Sequence, residues 1–92
     1  HEQVVEENTE DEDSGDLINS PMVGTFYASA SPGSKPFISV GDHVSEGDVV
    51  CIVEAMKMMN EIKSEFSGKV LSINVENSQP VEYGQALFEI SK

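Results

Sequence analysis

Residues 44–53 read VSEGDVVCIV, and residues 81–90 read VEYGQALFEI. Laid together at an offset of 37, Val44 meets Val81, Gly47 meets Gly84, and Val49–Val53 falls on Ala86–Ile90. Each copy is a glycine-centred turn feeding a short apolar run, the pattern of a strand leaving a tight turn. Upstream, Val23-Gly24-Thr25-Phe26 resembles Ser67-Gly68-Lys69-Val70 at an offset of 44. The offsets differ by seven, so the first copy carries seven extra residues between positions 27 and 43. That interval contains SASPGSKPF (29–37), whose Ser, Pro and Gly content marks an inserted loop. The chain therefore reads as two similar half-domains, the first of them decorated.

The rest of residues 17–92 agrees with an all-β domain. Val49–Val53 is rich in β-branched residues, Val70–Val75 alternates with Leu71, Ile73 and Val75 on one face, and Pro21, Pro32, Pro36 and Pro80 punctuate the gaps. Many short strands at close spacing predict a flattened antiparallel barrel or sandwich. Residues 1–16, HEQVVEENTEDEDSGD, differ: eight carboxylates, no lysine, and Val4 and Val5 as the apolar content. Such a segment cannot bury enough to offset its ordering entropy, so it is expected to be a disordered acidic tail or linker.

Charge excludes several functions. The 92 residues hold 17 acids against five lysines, a formal charge of −12, of which −8 lies in residues 1–16 and −4 in residues 17–92. A basic face for nucleic acid is not available, and an anionic membrane surface is disfavoured for the same reason. No apolar run approaches the roughly 20 residues needed to cross a bilayer. One cysteine and two widely separated histidines give no metal-ligand spacing, and a lone thiol suggests no oxidising compartment. The acidic start lacks the basic segment of a secretory leader, and a chain opening on His1 is expected to be a fragment or processed form.

Residues 54–66 follow the first repeat and support two readings. As a helix, Ala55, Met58, Met59, Ile62 and Phe66 share one face, in a stretch of good helix formers. As a strand after a tight turn, Ile62, Ser64 and Phe66 point inward while Glu61, Lys63 and Glu65 point out. Propensity favours the helix; the repeat favours the hairpin, because each half needs strands on both sides of its turn. Lys57 stands in an apolar setting, Met56-Lys57-Met58-Met59, at the junction of the halves. At a hairpin tip its amine would be held clear of the body, flanked by soft thioethers suited to a surface that another protein grasps. A solvated charge, with the methionines packed in the core, is the plainer alternative. No catalytic set is visible. His43 and Cys51 lack a base and orienting partner, and a lysine nucleophile acting alone needs burial or a neighbouring cation, which Glu54 does not supply.

Glu54-Ala55-Met56-Lys57-Met58-Met59 resembles the attachment motif of biotinyl domains. Ser20–Tyr27, Phe37–Asp42, Gly47–Val53, Ser67-Gly68 and Pro80-Val81-Glu82 extend the likeness to the biotin carboxyl carrier proteins of acetyl-CoA carboxylases. The resemblance implies a flattened barrel of two four-stranded antiparallel sheets related by a pseudo-dyad, with residues 54–59 forming a hairpin. It identifies the loop near 29–37 with the "thumb" of the bacterial and plastid-type carriers. The acidic N-terminal segment departs from the Ala/Pro-rich linkers of many members. Carried over, Lys57 is the covalent biotin site; Met56 and Met58 flank it, and Glu54 and Ala55 complete the presented strand end. A biotin protein ligase would attach the vitamin from its acyl-adenylate. A biotin carboxylase would then load it, and a carboxyltransferase would make malonyl-CoA for fatty acid synthesis. The implied protein is a non-catalytic carrier without metal, in the cytoplasm or, in a plant, the plastid stroma. Lipoyl domains share the glycine framework, but their sites resemble Asp-Lys-Ala where this chain has Met56-Lys57-Met58. The remaining alternative is an unmodified interaction module whose acidic tail binds a basic partner.

Overall fold

The computed structural model describes residues 15–92, so the expected tail lies outside the described residues except for Gly15 and Asp16. Eight strands follow in order: β1 Asp16–Asn19, β2 Gly24–Tyr27, β3 His43–Val44, β4 Val49–Ala55, β5 Met58–Lys63, β6 Gly68–Ile73, β7 Pro80–Val81 and β8 Ala86–Ile90. No helix occurs among the described residues. Two four-stranded sheets form, ordered β1-β8-β6-β3 and β5-β4-β2-β7, and every pairing is antiparallel.

The two orders superpose element by element: β1 on β5, β8 on β4, β6 on β2, β3 on β7. Backbone bonding repeats with them. Gly41 N–H donates to the Val70 carbonyl at 2.8 Å, and Ser78 N–H donates to the Phe26 carbonyl at 2.7 Å. Gly47 N–H donates to Ser64 and Gly84 N–H to Ser20, both at 2.8 Å. Where the first half uses Asp48 Oδ2 to accept from Ser45 N–H, the second uses Gln85 Oε1 to accept from Glu82 N–H. Asp42 and Gln79 repeat that exchange on Ser39 and Glu76. A side-chain acceptor three residues on is thus what each turn requires, and carboxylate or amide serves equally.

Gly24 and Gly68 show why the repeat keeps glycine there. A Cβ on Gly24 would overlap the Glu54 carbonyl oxygen, and one on Gly68 would overlap that of Ser91. Both are places where one strand crosses close over its neighbour, which any side chain would wedge apart.

The inner faces of both sheets make one core. Phe26 from one sheet meets Phe88 from the other at 5.9 Å between ring centres and 50° between planes, a tilted contact that fixes the sheets face to face. Val50, Cys51 and Val53 of β4 lie in the same core, each at most 1 % exposed. Burial of each such valine contributes about 1.5–3 kcal/mol, so β4 is firmly anchored below whatever it presents at its end.

One sequence expectation fails in detail. Alternation puts Leu71, Ile73 and Val75 on one face; Val75 is buried and Ile73 partly buried against the core, but Val70, of the opposite parity, is fully buried, and Leu71 is only half-buried. The register against β8 shifts between Val70 and Ser72, and this bulge inserts one residue that resets the alternation.

Candidate functional site

β4 and β5 form a hairpin whose last pair is Ala55 with Met58. Only Met56 and Lys57 remain to make the turn, and both have positive φ, 54° and 66°. A two-residue loop with both residues left-handed is the type I′ geometry, whose twist matches that of the flanking strands. It is normally filled by Asn-Gly, because other side chains are strained in that region. The helix favoured by propensity in residues 54–66 therefore does not form. A helix would have to give up the β4–β5 ladder and the burial of Ile62, and tertiary pairing outweighs the propensity of Met, Lys and Glu. The strand reading holds through the segment: Ile62 and Ser64 are buried, Phe66 is half-buried, and Glu61, Lys63 and Glu65 are exposed.

The tip stands clear of the core. Lys57 is exposed, Met56 is 93 % exposed, Met58 64 % and Met59 55 %, so core packing does not account for these methionines. Below the tip the geometry tightens. Asn60 Nδ2 donates to the Val53 and Met58 carbonyls, both at 3.2 Å, tying the two strands together just beneath the turn. Glu54 pairs with Thr25 across β2 and β4, and its carboxylate accepts from the Tyr27 hydroxyl at 3.3 Å. The dyad maps β4 and β5 onto β8 and β1, so the tip and the ends of the described domain lie at opposite poles.

The five residues named from sequence, Glu54, Ala55, Met56, Lys57 and Met58, thus sit together at one end of one hairpin. His43 lies exposed in β3, and Cys51 is buried in β4 with its thiol pushed up to about 12 by desolvation. Neither belongs to the tip. Among the described residues no group of three His, Cys, Asp or Glu is placed to hold a metal ion.

Sequence reading located the inserted loop but missed the cleft it forms beside the tip and the part of Asn77 in it. The inserted loop is a small excursion pinned at its base: Ser29 bridges Pro36, and Phe37 N–H donates to the Ala28 carbonyl at 2.9 Å. Asn77 Oδ1 accepts from Ala28 N–H at 2.8 Å. Inside the loop the Ser31 and Ser34 hydroxyls share a 2.7 Å bond. Between loop and hairpin lies a cleft of about 330 Å³ lined by Tyr27, Ser29–Pro32, Glu54, Met59, Asn77 and Ser78. It falls at the small end of the roughly 300–1,000 Å³ range of small-molecule sites. Asn77 carried one usable signal, since it aligns with Val40 across the repeat while differing from it in chemistry.

Comparison with known proteins agrees with this geometry. The family model described as biotin-requiring enzyme matches residues 16–90. Over 76 residues the chain is 60 % identical to the biotin carboxyl carrier protein of acetyl-CoA carboxylase from Pseudomonas aeruginosa, covering 83 % of this chain and 49 % of the relative. Over 73 residues it is 53 % identical to a chloroplastic carrier protein of the same name from Arabidopsis thaliana, covering 79 % and 26 %. The chain therefore spans about half, or less, of the length of these relatives. Among solved structures, the urea carboxylase of Kluyveromyces lactis superposes with a TM-score of 0.68 at 39 % identity, over 82 % of this chain and 6 % of that one. With the two-sheet dyad, a lysine at a two-residue turn and a matching family model over the whole described domain, this chain belongs to the biotin-requiring enzyme family, the biotin/lipoyl domains.

Proposed function

We propose that this chain is the cofactor-bearing domain of a biotin carboxyl carrier protein of acetyl-CoA carboxylase, with biotin amide-linked to Lys57. The observation that carries the proposal is the turn itself: a strained two-residue tip that lifts one primary amine out of a domain whose other described features are framework. The chain's own residues fit the group. Lys57 offers an exposed amine for acylation, and the neighbouring cleft offers hydroxyls and loop backbone to a polar ring. Biotin supplies a ureido nitrogen that takes up and gives up a carboxylate.

Each residue then has a part. Lys57 Nζ, once unprotonated, would attack the carboxyl carbon of a biotinyl adenylate on a biotin protein ligase; the C–N amide bond forms, the C–O bond to AMP breaks, AMP leaves, and the amine's proton passes to solvent, so the lysine charge is lost. Met56 and Met58 give the ligase an apolar, adaptable grip on either side of that amine. Ala55 closes the turn, and Glu54, held by Tyr27, fixes the strand end beneath it. The inserted loop, which borders the cleft beside the tip, would hold the attached group and limit its access to water. The domain performs no bond-making of its own. It carries the arm between a biotin carboxylase and a carboxyltransferase, where tethering raises the effective concentration of the reacting group. This reading places the protein in the cytoplasm, or in the plastid stroma of a plant.

Intact mass after incubation with ligase, ATP and biotin tests the proposal. One biotinyl adduct is expected on the chain and none on Lys57→Arg. An adduct that persists on another lysine overturns the site, and a lipoyl adduct formed in cells overturns the cofactor.

A further inference from the structure

Three of the four methionines in the chain, Met56, Met58 and Met59, are gathered at the hairpin end and exposed; Met22 is half-buried against the core. Exposed apolar side chains this concentrated mark a contact surface. A thioether in water is also open to peroxide, and Met56, at 93 % exposure in a left-handed turn position, has almost no protein shielding it. The one thiol, Cys51, is fully buried and does not compete for the oxidant.

We propose that Met56 and Met58 form a reversible oxidation site that gates attachment at Lys57, an inference that rests on the reading of Lys57 as the attachment residue. The step is a two-electron oxygen transfer. The sulfur lone pair attacks hydrogen peroxide, the O–O bond breaks, an S–O bond forms, and water leaves; sulfur is oxidised and peroxide reduced. Two thiols on a methionine sulfoxide reductase reverse it, becoming a disulfide and releasing water. The consequence follows from their place in the turn. Met56 and Met58 are the chain neighbours of Lys57 and are exposed at the same hairpin tip, so a protein that closes over that tip covers them too. A thioether is covered at a gain, whereas a sulfoxide oxygen must shed its water and finds no donor prepared for it. Oxidation therefore slows acylation of an amine it does not touch.

The test uses the unbiotinylated chain treated with dilute hydrogen peroxide. Peptide mass mapping is expected to find oxygen on Met56 and Met58 before Met22. The rate of biotin incorporation by purified ligase should fall about tenfold, equivalent to about 1.4 kcal/mol. Treatment with reductases for both sulfoxide epimers should restore it. Oxidation of Met56 and Met58 without a change in rate overturns the proposal, as does Met22 reacting as fast as they do. A loss of rate that the reductases do not restore overturns it too, because the damage then lies elsewhere. The untreated chain separates the two ideas: if it takes no biotin at Lys57, attachment itself fails, whereas failure confined to the treated arm strikes only the gate.

Discussion

Ser20 and Ser64 occupy one structural position twice, 44 residues apart. Each is buried, at 2 % and 3 % exposure. Ser20 Oγ donates to the Met22 carbonyl at 2.6 Å and accepts from the Met22 N–H at 3.4 Å. Ser64 Oγ does the same with Phe66, at 2.5 and 3.1 Å. Each hydroxyl thereby satisfies both polar groups of the residue two positions on, where the chain leaves an edge strand and swings into the next.

Ser20→Ala and Ser64→Ala should each cost about 1–3 kcal/mol, because the alanine leaves a carbonyl and an N–H without their partner. Urea unfolding is the measurement. Near-equal losses would show that the halves are energetically as well as geometrically alike; a loss below about 0.5 kcal/mol at either site would mean that water replaces the hydroxyl there.

The tip gives up stability for presentation. Met56 and Lys57 both hold positive φ, where non-glycine residues cost roughly 1–2 kcal/mol each. Met56→Asn combined with Lys57→Gly should raise stability by about 1–2 kcal/mol while abolishing biotin incorporation. Denaturant midpoints and ligase labelling on the same variant check both halves of that statement. A variant no more stable than the parent would show that the turn stores no strain.

Cys51 predicts a pH dependence. Burial lifts its thiol from an ordinary 9.0 to about 12. A group whose pKa is raised by folding contributes its full stability below the unfolded value and loses it as pH climbs toward the folded one. Stability should therefore decline from about pH 9 toward pH 12 more steeply in the parent than in Cys51→Ala, which lacks the thiol. In the native state iodoacetamide should label Cys51 no faster than the domain opens.

The inserted loop can be cut without unravelling the sheets. Ala28 and Phe37 are already joined by a backbone hydrogen bond, so its ends lie side by side. Replacing residues 29–36 with Gly-Gly should alter stability by no more than about 0.5 kcal/mol. Biotin incorporation should persist while carboxyl transfer by the assembled carboxylase falls. Unchanged transfer would remove the loop from the working site.

Much of this architecture was legible in the residues. The offsets of 37 and 44 exposed two copies of one unit, the extra residues between them located the loop, and Glu54–Met59 carried the family likeness, because spacing and residue type survive in a linear string. Other features were not legible, because they depend on partners distant along the chain. Period 2 and period 3.6 both fitted residues 54–66, and only the β4 ladder beneath Ala55 chose between them. The bulge between Val70 and Ser72 arises from the fit of β6 to β8, so alternation within β6 could not reveal it. The cleft beside the tip draws Tyr27, Ser29–Pro32, Glu54 and Asn77 from three separate segments. The sequence by itself determined the kind of scaffold and singled out Lys57 by its motif; the tertiary structure decided how that residue is held, because a left-handed two-residue turn persists only where paired strands on both sides enforce it.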